Sequence, residues 1–152
     1  MKFTRLEKND VAEFVKLLQK EFSAGREDLF QTIDRILKQE VAVFKLVKGG
    51  KILGFIEIEE IEEGIARLGA IVISPGARNK GFGKALVSKA IEHLRGENIN
   101  QAILHVRQEN TRAKKLYSQL GFTFSTTIQD ETGNLIDEFE LDLNGSTGNS
   151  VI

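Results

Sequence analysis

The chain has no cysteine, a single proline, a single tyrosine and two histidines in 152 residues. Without cysteine there is no disulfide framework, no thiolate metal site and no thiol to carry an acyl group. Two histidines argue against a multi-histidine metal centre, so no metal is expected. An excess of one charge is also lacking. The 21 Lys and Arg stand against 22 Asp and Glu, a net charge of −1, which excludes a broad polyanion-binding surface and leaves nucleic acid outside the expected partners. No apolar run approaches the length of a membrane span, no signal-peptide core follows Met1-Lys2-Phe3-Thr4-Arg5, and the expectation is a cytoplasmic chain with no membrane partner. What is present is ordinary for a globule: 41% hydrophobic and 28% charged residues suffice for one folded domain, expected over residues 1–143. The remainder, 144–152, has the composition of a tail.

The one proline, Pro75, lies in the stretch around which the chain is organised, Ile71-Val72-Ile73-Ser74-Pro75-Gly76-Ala77-Arg78-Asn79-Lys80-Gly81-Phe82-Gly83-Lys84-Ala85-Leu86. An apolar run gives way to a basic, glycine-bearing loop and then to an amphipathic segment. This reads as strand, anion-binding turn and helix, in which free N–H groups at the positive end of a helix favour phosphate.

Around it the periodicities predict a definite order. A short strand at Lys2–Leu6 precedes two amphipathic helices: the first is capped by Asn9 or Asp10 and carries Val11, Phe14, Val15, Leu17, Leu18 and Phe22, and the second carries Leu29, Phe30, Ile33, Ile36 and Leu37. Ser23-Ala24-Gly25 separates them. Val41–Val47 and Ile52–Glu59 form a hairpin across Lys48-Gly49-Gly50-Lys51, with Phe55, Glu57 and Glu59 on a wet face. Ile65–Ile73 is apolar on both faces except at Arg67, which predicts a central strand buried on both sides. A helix from Gly81 to about Arg95, a strand at Gln101–Arg107, a helix through Ala113, Leu116, Tyr117 and Leu120 closed by Gly121, and a hairpin of Phe122–Ile128 with Leu135–Leu143 complete the chain. Hairpins beside one helical crossover imply an α+β fold on a mixed sheet.

Two phosphate motifs fail on this turn. Gly76 and Gly81 have the spacing of a Walker A loop, but Phe82-Gly83 stands where Lys and a hydroxyl belong. A dinucleotide fingerprint needs a third glycine where Leu86 stands. What remains is Arg78-x-x-Gly81-x-Gly83, followed some thirty residues on by Leu104-His105-Val106-Arg107-x-x-Asn110-x-x-Ala113-x-x-Leu116-Tyr117-x-x-Leu120-Gly121-Phe122. Both blocks together, and the element order across residues 1 to 143, resemble the GNAT superfamily of acetyl-CoA-dependent N-acetyltransferases.

The resemblance implies a mostly antiparallel central sheet that splays between its fourth and fifth strands, with helices on both faces. It implies acetyl-CoA as co-substrate and an amine as acceptor: a protein N-terminus, a lysine or a small molecule. The pyrophosphate would lie on Asn79, Lys80, Gly81, Phe82, Gly83 and Lys84 with charge from Arg78, Lys80 and Lys84, and the pantetheine arm would pair with Ala70, Ile71, Val72 and Ile73 as a peptide pairs with a strand edge. Asn110 would hold the arm from the other side, and Asn110, Ala113, Lys114 and Tyr117 share one helix face by their spacing. Tyr117 matches the general acid of the family, since a phenol of pKa about 10 can hydrogen-bond a sulfur on which charge develops; a half-buried helix aromatic is the alternative. His105 is the first candidate base, an imidazole being suited to neutral pH; a histidine satisfied by its strand neighbours is the alternative. Glu57 is the second candidate base. Glu57 and Glu59 with Asp137, Glu138 and Glu140 would line an acidic acceptor site or form a solvated face. Gly76 stands where N-terminal acetyltransferases often carry an aromatic. A catalytically inactive acyl-CoA-binding sensor is the reading from another class, and the oligomeric state is left as monomer or homodimer.

Overall fold

The structure, a computed structural model, describes residues 1–21 and 29–144. Its elements follow the expected order: β1 (Lys2–Arg5), α1 (Val11–Glu21), α2 (Leu29–Leu37), β2 (Ala42–Lys48), β3 (Lys51–Glu62), β4 (Ile65–Ile73), α3 (Phe82–Arg95), β5 (Gln101–Arg107), α4 (Thr111–Gln119), β6 (Thr123–Gln129) and β7 (Leu135–Asp142). The strands are hydrogen-bonded in the order β1-β2-β3-β4-β5-β7-β6. The β4–β5 pair is parallel, whereas β1–β2, β2–β3, β5–β7 and β6–β7 are antiparallel, so the sheet is mixed and mostly antiparallel. The chain forms two compact units, Met1–Glu59 with Ala70–Lys89, and Glu60–Gly69 with Ala90 onward.

In the first unit, Gly49 and Gly50 take φ of +59° and +78°, the positive pair that a tight hairpin turn needs and glycine supplies without strain. Phe14, Leu17 and Leu18, three to four residues apart, put one face of α1 onto Val43, Phe55 and Val72. The rings of Phe14 and Phe55 meet at 5.1 Å. Phe55 is therefore fully buried, and the wet face expected for β3 is corrected: α1 covers it at Phe55, while Glu57 and Glu59 beyond stay partly open. A turn of 3-10 helix, Lys8–Asp10, precedes the helix, and Asp10 Oδ2 accepts from the Glu7 backbone N–H at 2.8 Å.

Asp10 is buried with a partner that periodicity does not reveal, Lys45 of β2, whose ammonium donates to Asp10 Oδ2 at 2.7 Å and to Glu7 Oε2 at 2.9 Å. Burial pushes the Asp10 carboxyl up, but the Lys45 bond and the Glu7 N–H outweigh it and hold the group below its ordinary range.

In the second unit, Gly64 turns β3 into β4 at φ +81°, and Ile65–Leu68 pair in parallel with Gln101–Leu104. Ala102, Leu104 and Val106 of β5 are buried, as are Ile91 and Leu94 of α3. Along β4, buried Ala66, Leu68 and Val72 alternate with half-buried neighbours, so the strand is not buried on both sides as its composition suggested. Every residue of β6, the last strand in the hydrogen-bonded order, is exposed. Of the expected tail, Asn144 is tied down by bonds to Asp142 and Asn100. Residues 145–152, and Phe22 with the break at Ser23-Ala24-Gly25, lie outside the described residues.

Candidate active site

Within the first unit, the exit of β4 is pinned at Ser74, whose N–H donates to Leu53 O at 2.9 Å and whose hydroxyl donates to Ile52 O at 3.1 Å. Pro75 then opens a short 3-10 turn, Pro75–Ala77. Arg78 Nε donates to the Ile73 carbonyl at 3.2 Å, which holds the guanidinium at the end of β4. Asn79 and Gly81 take φ of +61° and +81°, and these left-handed residues turn the chain into α3. Ala85 N–H donates to Gly81 O at 3.2 Å, the first bond of that helix. The N–H groups of Phe82, Gly83 and Lys84 precede this bond, so the helix ladder offers them no acceptor. With exposed Arg78, Lys80 and Lys84 beside them, they form a basic helix start suited to an anion. Lys48 of the β2–β3 turn places its ammonium 6.0 Å from the Phe82 ring centre.

The strand end feeding this turn is unusual. Ala70 has φ +44°, a left-handed conformation that costs a non-glycine residue about 1–3 kcal/mol, and it begins the Ala70–Ile73 segment expected to hold the pantetheine arm. Opposite it on β3, a Cβ added to Gly54 would come within 2.7 Å of Val72 O. Glycine there permits the close approach of the two backbones. Glu57, the second candidate base, lies on the same unit, but its carboxylate is 3.9 Å from Arg35 of α2, which also meets Glu59 at 2.9 Å.

Within the second unit, Asn110 caps α4, its Oδ1 accepting from Ala113 N–H at 3.1 Å. The cap uses the oxygen and leaves the amide NH2 as a donor. At the far end of α4 the chain closes in a Schellman motif: Phe122 N–H donates to Tyr117 O and Gly121 N–H to Ser118 O, both at 3.1 Å, with Gly121 at φ +99°. The same motif brings the Phe122 ring edge-on to Tyr117 at 6.2 Å. The Leu-Gly-Phe run thus fixes both the backbone and the ring of the candidate acid. Tyr117 is half-buried, and burial pushes its phenol above the ordinary value.

His105 is exposed on β5 and stands opposite Glu138 of β7 in the register, with Nε2 3.0 Å from Glu138 Oε1. Asp137 and Glu140 of the same strand each have partners of their own. Asp137 is buried and bonded to Lys114 and Thr127 at 2.8 Å each, and Glu140 accepts from Gln101 at 3.0 Å. Among the described residues no group of three or more His, Cys, Asp or Glu is arranged to hold a metal, and no helix is long and apolar enough to cross a membrane.

Residues 11–122, spanning both motif blocks, match the family described as Acetyltransferase (GNAT) family. The chain belongs to the GNAT family. Mycothiol acetyltransferase of Streptomyces avermitilis is 32% identical over 85 residues, covering 55% of this chain and 28% of that protein; that of Beutenbergia cavernae is 41% identical over 51 residues, 34% of this chain and 17% of that protein. The matched part spans less than a third of these relatives. Among solved structures, a mutant form of spermidine N-acetyltransferase from Vibrio cholerae superposes with a TM-score of 0.83 at 20% identity over 99% of both chains. Ribosomal-protein-alanine N-acetyltransferase from Brucella melitensis does so with 0.77 at 14% identity, over 93% of this chain and 99% of the other. At these identities the likeness shows the GNAT fold. The family's two motif blocks were legible as residue types at fixed spacing; Arg35 and Lys48, which approach the candidate residues through tertiary contacts, left no comparable signal, and Glu138 was legible as an acidic residue but not as the partner of His105.

Proposed function

We propose that this GNAT-family chain is an acetyl-CoA-dependent N-acetyltransferase that passes the acetyl group directly to a primary amine in a ternary complex. The observation that carries the proposal is the start of α3, where the backbone of Phe82, Gly83 and Lys84 meets Arg78 and Lys80 at a strand-to-helix turn. Acetyl-CoA supplies, when bound, a thioester carbon open to attack by a neutral amine. The N–H groups of this turn and its cations would hold the pyrophosphate. The Ala70–Ile73 backbone would pair with the amides of the arm, and the Asn110 amide NH2 would donate to it.

Tyr117 would donate its phenolic proton toward the departing sulfur. Burial, which raises the phenol, keeps that proton in place through the neutral range. His105 would accept the proton that the attacking amine loses; its exposure leaves it open to an acceptor. Glu57 is the second choice, its carboxylate lying 3.9 Å from the Arg35 guanidinium. The names of the relatives and neighbours cover three acceptors, mycothiol chemistry, spermidine and a ribosomal protein alanine, and so support an amine without selecting one. A cytoplasmic setting belongs to the same proposal, and cell fractionation checks it.

Two measurements test this function. Acetyl-CoA should raise the melting temperature, and thiol release should accompany acetylation of at least one member of a panel of polyamines, amino sugars, amino acids and N-terminal peptides. No thermal shift would overturn the assignment; binding without turnover on any acceptor would favour the sensor reading.

A further inference from the structure

The carboxylates of β7 divide their partners. Asp137 is bonded to an ammonium, Lys114, and Glu140 to a carboxamide, Gln101. Glu138 meets the imidazole of His105, and the two are direct cross-strand partners in the antiparallel β5–β7 register. Their contact is short, 3.0 Å between Nε2 and Oε1, while both side chains keep part of their surface in solvent, 29% for His105 and 23% for Glu138. Strand pairing thus sets this contact, since residues directly opposite on one face have their Cβ atoms about 5 Å apart.

The chemistry of the two groups then assigns the atoms. An ionised carboxylate only accepts, so the proton of the contact must sit on Nε2, and the lone pair of the neutral imidazole is left on Nδ1. We infer that Glu138 is a positioning residue: it holds the His105 ring through Nε2–H and presents Nδ1 as the atom that takes a proton from the acceptor amine. This rests on His105 being the base in the function proposed above. In that step an ammonium N–H bond breaks and an Nδ1–H bond forms, giving a neutral amine and an imidazolium whose second N–H already has Glu138 as acceptor. The proton later leaves Nδ1 to water, and the ring returns to its starting form.

The pair is tested with Glu138→Ala, Glu138→Gln, His105→Ala and the double variant of His105→Ala with Glu138→Ala, each assayed as the full chain with acetyl-CoA and the best acceptor of the panel. Glu138→Ala should lower kcat about tenfold, a part of the 10²–10⁴ that a positioned base contributes, with KM for acetyl-CoA unchanged. Glu138→Gln keeps an oxygen that can accept from Nε2–H and should retain most of the rate. In the His105→Ala background, removing Glu138 should cost nothing more, because the residue acts through the ring. Wild-type kcat in Glu138→Ala while His105→Ala is impaired, or an equal loss on removing Glu138 with and without His105, overturns the positioning role and leaves His105 as base. Wild-type turnover in His105→Ala removes the base itself and the inference with it.

Discussion

The ammonium of Lys114 lies 2.8 Å from Asp137 Oδ2, on a β7 residue that is 4% exposed. The same ammonium donates to the Gln108 carbonyl at 2.8 Å, and Thr127 donates to the other carboxylate oxygen at 2.8 Å. One buried carboxylate therefore joins the loop before α4, the first turn of α4 and both strands of the last hairpin. Because α4 also carries the Asn110 cap and Tyr117, this pair helps set where the candidate acid stands relative to β7.

The pair makes stability sensitive to acid. The Lys114 ammonium, then the Thr127 hydroxyl, hold the Asp137 carboxyl below its ordinary range. The unfolded chain consequently binds the proton more readily. The contribution is complete above the unfolded pKa of about 3.9 and is lost as pH falls from there through the lower folded value. Urea unfolding of wild type and Asp137→Asn at about pH 7 and about pH 3 checks it: the variant should be the weaker protein at neutral pH and should lose less on acidification. Equal acid losses in the two proteins would contradict the assignment.

Tyr117→Phe removes the phenolic proton and keeps the ring that meets Phe122. The fold and acetyl-CoA affinity should be unchanged by calorimetry, while kcat should fall by about 10² or more, or about 2.7 kcal/mol in the barrier. Full turnover in this variant would rule Tyr117 out as the acid.

Gly121→Ala strikes the support of that tyrosine. At φ +99° an alanine is strained, and its Cβ would meet Leu141 Cδ1 at 3.3 Å. We expect a loss of about 1–3 kcal/mol in unfolding free energy, with a fall in kcat because the bonds ending α4 at Tyr117 and Ser118 are disturbed. Unchanged denaturation and kinetics would separate the Schellman motif from the site.

Gly54→Ala tests the strand edge from behind. The added Cβ would be 2.7 Å from Val72 O and 2.9 Å from Ile73 Cδ1, so β3 or β4 must move, at a cost of about 1–3 kcal/mol. Since Ala70–Ile73 is the proposed seat of the pantetheine arm, acetyl-CoA should bind more weakly in a calorimetric titration. Destabilisation with unaltered affinity would place the arm elsewhere.

Local patterns carried much of this far in advance. The glycine pairs of the turns, the spacing of Phe14, Leu17 and Leu18, and the Leu-Gly-Phe closure of α4 are short-range features whose conformational demands are written in neighbouring residues, and each forms as read. Long-range partners are not written this way: Asp10, a good cap residue by type, is bonded to Lys45, which is 35 positions away in the chain. The same holds for β3, whose alternation predicts a wet face at Phe55 but cannot show that α1 lies across it.

The sequence by itself determined the family, the order of the elements, the anion-suited turn from Arg78 to Lys84 and the residue types offered for catalysis, because these rest on composition and fixed spacing. Tertiary structure decided which of the acidic and basic residues meet. Glu57 is turned toward Arg35, Asp137 toward Lys114 and Glu138 toward His105. Those pairings depend on helix docking and on strand register, where a slip of one residue would turn every side chain to the other face, and no local pattern encodes that choice.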